Sequence, residues 1–166
     1  YNIADLSLTD WNPNANNAVY SINISGSQVY VGGVFSSIGG QTRNCSASLN
    51  ISDGLANSFN PNANHFVYSI AADGTTIYAG GNFTTIGGQS RNYIAALNSS
   101  DGTATSWNPG ANESVEAIAL SETQVYLGGD FTTIAGVTRN YIGSINKSDG
   151  GLASWNPNAS HSVNAI

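Results

Sequence analysis

The residues with reactive potential are few, and their spacing tests them one by one. Ser144-Ile145-Asn146-Lys147 spells Ser-x-x-Lys, an arrangement in which a lysine can activate a serine nucleophile. It falls on a predicted strand entering a turn, its companion motifs are missing, and no lysine stands at the matching places elsewhere in the chain. No Gly-x-Ser-x-Gly elbow occurs, and neither His65 nor His161 has the Ser and Asp setting of a triad. The two histidines share a register with Asn17 and Glu113, as expected of loop decoration rather than a metal pair. The acidic and amide residues lack the Asp-x-Asp-x-Asp-Gly…Glu spacing of a calcium loop. Glycine pairs such as Gly32-Gly33 end a strand instead of opening a helix, so a phosphate cradle has no basis. We therefore expect a chain that is not an enzyme, with no catalytic residue, no cofactor and no metal site.

Charge narrows the partners. Ten acidic residues face four basic ones, Arg43, Arg91, Arg139 and Lys147, giving a net charge of −6 with only 8% charged residues. No basic patch exists, so nucleic acid is not an expected partner. No apolar run approaches the ~20 residues that cross a bilayer, so no membrane insertion is expected. The sequence opens at Tyr1 without a methionine, as a mature or trimmed product would. Cys45 is the single cysteine, and its counterparts 48 and 96 residues on are Tyr93 and Tyr141, so it reads as a packing residue.

What must position these residues is a repeat. Trp11, Phe59, Trp107 and Trp155 each open an Asn-Pro-Asn/Gly-Ala turn, and each lies 48 residues after the last. Between them every unit carries Val/Ile-Tyr-x-Gly-Gly-x-Phe-x-x-Ile, at 29–38, 77–86 and 125–134, then Arg-Asn (Arg43, Arg91, Arg139), then Asp-Gly (Asp53, Asp101, Asp149). Short β-branched and aromatic runs alternate with turn residues, and no 3.6-residue period is sustained. The pattern predicts four strands per unit, at 19–24, 29–33, 45–51 and 55–59 in the first. Tight turns at Gly26-Ser27 and Asp53-Gly54 close two hairpins, and a longer second connection spans 35–44. Four strands and a rigid Asn-Pro corner every 48 residues describe an all-β array of β-propeller-type, four-stranded antiparallel blades. The repeated aromatics, with Phe35, Phe83, Phe131 and Ile38, Ile86, Ile134, are the expected core between blades. The structural role of the arginines would be to tie loop carbonyls, or the aspartate series, together.

The string Tyr-x-Gly-Gly-x-Phe-x-x-Ile-Gly-Gly-x-x-Arg-Asn…Leu-Asn-x-x-Asp-Gly…Trp-Asn-Pro resembles the delta-60 class of β-propeller repeats, across the whole chain. That resemblance implies a propeller fold and an extracellular or cell-surface setting. The class carries no single assigned activity, so it transfers no catalytic residues.

The units divide the chain into the end of a preceding blade (1–17), blades at 18–65, 66–113 and 114–161, and the first strand of a following blade (162–166). About three and a half blades fall short of the ~4–8 that close a ring. Expected partners are therefore further blades of a longer chain, or other copies whose strands complete this one's sheets. Asn-x-Ser/Thr acceptors stand at Asn23, Asn44, Asn50, Asn82, Asn98, Asn112, Asn146 and Asn158. Of these Asn50, Asn98 and Asn146 share one register beside the Asp-Gly turn, where a glycan would fit. The function expected is a non-catalytic extracellular structural or interaction module, part of a surface, adhesion or filament protein. The alternative is a multivalent glycan-binding propeller, with Tyr20, Phe66 and Tyr68 as sugar contacts because those positions are not aromatic in every unit.

Overall fold

A computed structural model describes residues 9–166; of the preceding-blade segment 1–17, residues 1–8 lie outside the described residues. The described chain contains strands and turns and no helix, so no helix is long and apolar enough to cross a membrane.

Blade 1 is the sheet β1 (Val19–Ser25), β2 (Gln28–Gly33) and β5 (Ser46–Asn50), antiparallel in the order β1-β2-β5. The connection from β2 to β5 folds into a two-stranded ribbon, β3 (Ser37–Ile38) with β4 (Gln41–Thr42). Blade 2 repeats the plan with β6 (Val67–Asp73), β7 (Thr76–Gly81), β8 (Thr85–Ile86), β9 (Gln89–Ser90) and β10 (Ile94–Asn98). Blade 3 does so with β11 (Val115–Leu120), β12 (Gln124–Gly129), β13 (Thr133–Ile134), β14 (Val137–Thr138) and β15 (Ile142–Asn146). The ribbon turns Gly39-Gly40 and Gly87-Gly88 hold two successive positive φ angles, which suits a two-residue hairpin loop. In blade 3 Ala135 accepts φ 51° at the first of these positions.

The fourth run keeps its place at the outer edge but is cut to a single bridge, Leu49 to Ala56, Leu97 to Ala104 and Ile145 to Leu152. The arginines supply the reason in blade 1. Arg43 Nη2 donates to the carbonyl of Asn57 at 2.6 Å, and Asn57 Oδ1 accepts the Phe59 N–H at 2.9 Å. Two ladder groups are thereby taken by side chains, and the chain turns away from the sheet. Arg91 holds the carbonyl of Thr105 in the same way, and Arg139 that of Ala153.

Three first strands line up side by side, β6 between β1 and β11. Side chains stitch them: the Ile70 N–H donates to Ser21 Oγ at 2.9 Å, the Ile118 N–H to Ser69 Oγ at 3.1 Å, and the Ala72 N–H to Asn23 Oδ1 at 3.3 Å. The glycine that follows each sheet's central tyrosine by two leaves a recess for the next blade. A Cβ at Gly32 would lie 2.8 Å from Val67 Cγ1, and one at Gly80 would lie 2.7 Å from Val115 Cγ1. Larger side chains there would push the blades apart.

The aromatic of each turn is the second link. Phe59, fully buried, meets Tyr30 of the preceding blade edge-on at 5.3 Å, and Trp107 meets Tyr78 at 5.3 Å. These aromatics sit in the clusters of the blade that follows them. The strap after Phe59 is bonded there too. Gly87 N–H donates to the Pro61 carbonyl at 2.7 Å, and Asn64 Oδ1 accepts the N–H groups of Thr84 and Thr85. By packing, then, residues 59–65 belong with blade 2 although they precede it in the period. Asn62 holds φ 50° in the corner after Pro61, a type II requirement that Asn meets at low strain.

Candidate binding surface

Each first strand carries one β-bulge, between Val19 and Ser21, Val67 and Ser69, and Val115 and Ala117. A bulge leaves its extra residue outside the ladder and re-aims that side chain. The extra residues are Tyr20, Tyr68 and Glu116. Tyr20 and Tyr68 come within 5.8 Å ring to ring, Phe66 lies 6.3 Å from Tyr68, and the His65 ring lies tilted against Phe66 at 4.2 Å. Tyr20 is 55% exposed and Phe66 37%, so the rings form an open ridge across blades 1 and 2.

At its blade 3 end the ridge turns acidic. Ser114 Oγ lies 2.9 Å from Glu116 Oε1 and 3.1 Å from Asp130 Oδ2, so one hydroxyl stands between two carboxylates. Burial, then the charge of Glu116, with smaller contributions from Tyr20 and Asp130, raises the pKa of the Tyr68 phenol. Tyr68 thus remains a hydrogen-bond donor to higher pH than an ordinary tyrosine. Flat apolar faces beside acceptor oxygens can stack on a sugar ring and accept hydrogen bonds from its hydroxyls.

Sequence reasoning singled out Tyr20, Phe66 and Tyr68, and the structure brings the three together. It missed Glu116, Asp130 and Ser114. The available signal was within-chain variation: position 116 replaces two tyrosines, and 130 replaces Val34 and Asn82. Position 116 is itself a bulge position, and Asp130 meets it through Ser114.

What recurs is held by the fold. Arg43, Arg91 and Arg139 bond carbonyls through both Nη atoms, Arg43 reaching Thr42 and Asn57. The aspartates bond their own turns instead: Asp53 Oδ1 accepts the N–H of Leu55, Asp101 that of Thr103 and Asp149 that of Gly151. Trp11 Nε1 and Trp107 Nε1 donate to the carbonyls of Asn50 and Asn146. Cys45 is half-buried against the blade 2 core at φ 60°, and burial raises its thiol pKa. Among the described residues no three His, Cys, Asp or Glu side chains converge.

The acceptor asparagines differ in freedom. Asn98 is exposed, although its amide donates to Thr103 Oγ1 at 2.7 Å, whereas Asn50, Asn82 and Asn146 are half-buried. Asn112 accepts two N–H groups and donates to Thr132 Oγ1, and Asn23 holds the Ala72 N–H. Asn44 bonds Asn62, and Asn158 bonds Asn140.

A second surface lies on the leading side of blade 1. Trp11, Ile22, Ile24, Val29 and Ile51 line an open groove of about 820 Å³, with Asp10 and Asp53 at its rim. The same groove recurs 96 residues on, between blades 2 and 3, where Ser106, Trp107, Lys147 and Asp149 line it. There Thr76, Tyr78 and Ala96 of the preceding sheet close it to about 230 Å³.

Residues 71–104 match the family profile described as "Domain of unknown function (DUF5122) beta-propeller". No curated protein matches the chain. Among solved structures it is similar to the computationally designed Ika4 protein, with a TM-score of 0.64 and 15% identity over 92% of this chain and 80% of that one. It is also similar to the computationally designed Ika8 protein, at a TM-score of 0.58 and 16% identity over 89% of this chain and 39% of that one. With its antiparallel sheets and single repeated plan, the chain is an all-β array of β-propeller blades whose row stays open.

Proposed function

We propose that the chain is a non-catalytic extracellular module of the delta-60 kind, a rigid row of blades in a surface, adhesion or filament protein. One observation carries this reading: the recurring Arg and Asp side chains bond the backbone, while Tyr20, Phe66 and Tyr68, at positions that change between units, form an exposed ridge. A scaffold with a presented surface is an interaction device, and the activity of such folds resides in what is grafted on them. Antibodies against the chain should label intact, unpermeabilised source cells. Labelling that appears only after permeabilisation would overturn the extracellular setting.

The ridge itself favours glycan recognition as a second reading, because Tyr68, which joins Tyr20 and Phe66, is near Glu116 and Asp130. On a glycan array the chain should bind, and the double change Phe66→Ala with Tyr68→Ala should abolish the signal. Binding that persists in that variant would remove the ridge as the sugar site. Glycans attached at Asn50, Asn98 or Asn146 would appear as mass increments removed by amidase treatment.

A further inference from the structure

We propose that the hollow between blades 2 and 3 is a binding pocket for a small neutral polyol, with room for a single sugar ring. Its lining shares no residue with the aromatic ridge, so the two sites stand or fall separately.

The two internal junctions follow one plan and differ in what fills them. Positions 28, 48 and 57 at the first correspond to 76, 96 and 105 at the second. At the first, Gln28, Ser48 and Asn57 close on one another: Asn57 Nδ2 donates to Gln28 Oε1, and to Ser48 Oγ at 3.0 Å. At the second stand Thr76, Ala96 and Thr105, whose shorter side chains leave that space unspanned. The turn across from them differs too. Ser58 Oγ donates to the Ser100 carbonyl at 2.6 Å, and the Asn60 N–H to that of Asp101 at 3.0 Å, which seals the first junction. Among the described residues neither bond recurs between Ser106 and Ser148 or between Asn108 and Asp149. Instead Trp107 replaces Phe59 and donates its indole N–H to the Asn146 carbonyl.

Size limits the occupant. The hollow measures about 230 Å³, the volume of about seven liquid waters and below the ~300 Å³ at which pockets for drug-sized ligands begin. One pyranose ring with its hydroxyls is of that scale.

Charge sets the class. Lys147 is the chain's single lysine, 13% exposed, and its Nζ lies 2.7 Å from Asp73 Oδ2 across the junction. That carboxylate neutralises the ammonium, and Asp149 adds a negative charge to the lining, so an anion meets no uncompensated cation. A cation in turn meets Lys147 itself. Asp73 takes one of the three ammonium donors. The others, with the hydroxyls of Thr76, Ser106 and Ser148 and the oxygens of Asp149, suit a ligand whose own hydroxyls both donate and accept. Tyr78 and Trp107 supply an apolar wall for the C–H groups of a ring.

NMR titration of the full chain with methyl glucoside, up to about 100 mM, tests the pocket; so small a ligand should bind at about 1 mM or above. The Trp107 indole N–H and the Ser148 amide should shift and saturate. Lys147→Met keeps the stem, removes the ammonium and should weaken binding about fivefold or more. The triple change Thr76→Gln, Ala96→Ser and Thr105→Asn copies the first junction into the second and should abolish the shifts, with a melting curve confirming that it folds. Should it fold poorly, Lys147→Met still decides. No saturable shift at Trp107 in the parent overturns the pocket, as does binding that either folded variant retains in full. Glucuronate saturating the same signals at lower concentration than methyl glucoside overturns the neutral class. Shifts that vanish in the Phe66→Ala, Tyr68→Ala variant belong to the ridge and likewise overturn the pocket.

Discussion

The leading face of blade 1 and that of blade 2 are the same surface in two settings. Ile22 and Ile70 hold one position of the repeat, and their exposures are 64% and 5%. Their own sheets pair in the same register, with the bulge one residue after the valine in both. Ile70 lies against the recess at Gly32 of the preceding sheet, and among the described residues no sheet covers Ile22 in that way. Blade 1 has a cluster of its own around Phe35 and Leu49, whereas the clusters of blades 2 and 3 also take in Tyr30 and Tyr78 of the sheet before, so the array gains stability through nearest-neighbour contacts.

The comparison is broken most forcefully at the turn aromatics. Phe59 is fully buried between two blades, so Phe59→Ala should lower unfolding free energy by about 3–5 kcal/mol, as large deletions in packed cores do. Trp155→Ala occupies the same register in the last described turn and should lower it by about 1 kcal/mol, because that residue is already 39% exposed. Equal losses in chemical denaturation at dilute concentration would show that the end of the row is as well packed as its middle.

A finer version uses the isoleucines. Ile70→Ala removes a side chain whose Cδ1 lies 3.2 Å from the Cβ site of Gly32, and about 2–4 kcal/mol should be lost. Ile22→Ala at matched dilute concentration should change stability by less than about 0.5 kcal/mol, as exposed substitutions do. If the two variants lost the same amount, the preceding sheet would not be what buries the residue.

Much of this could be read from residue spacing. The 48-residue interval, the Asp-Gly and Gly-Gly turns and the aromatic core follow from local chemistry and repetition. Phe59, Phe83 and Phe131 are indeed fully buried. The bulges are another matter: they depend on Val19 facing Gly33 while Ser21 faces Gly32, a pairing across the hairpin that no single-strand pattern reveals. For the same reason the meeting of Glu116 with Asp130 stayed hidden, since their side chains converge only through Ser114. The fourth strand is short because Arg43 reaches 14 residues forward to a carbonyl, a competition between side chain and ladder that strand propensity does not register. The placing of each strap on the blade after it is likewise a tertiary fact, decided by Asn64 and Pro61 reaching the β8–β9 ribbon.

The smallest expected effect compares the three Asp-Gly turns with one another. In all three the aspartate accepts one backbone N–H, but only Thr103 adds a hydroxyl, 2.8 Å from Asp101 Oδ1. The two bonds to Thr103, backbone first, lower the pKa of Asp101 from its ordinary value. A carboxylate with a depressed folded pKa is protonated first in the unfolded chain as pH falls. Its contribution is therefore complete above the unfolded value of about 3.9 and fades as pH drops through the folded one. Thr103→Val keeps the N–H and deletes the hydroxyl, so the Asp101 carboxyl should titrate closer to the ordinary value by NMR. The parent's stability advantage over that variant should be present at neutral pH and shrink on acidification. Since the site is fully exposed, solvent screens the effect, and it should be much smaller than the changes at Phe59 or Ile70. An unchanged titration in Thr103→Val would show that the hydroxyl near Asp101 does not favour the ionised carboxylate.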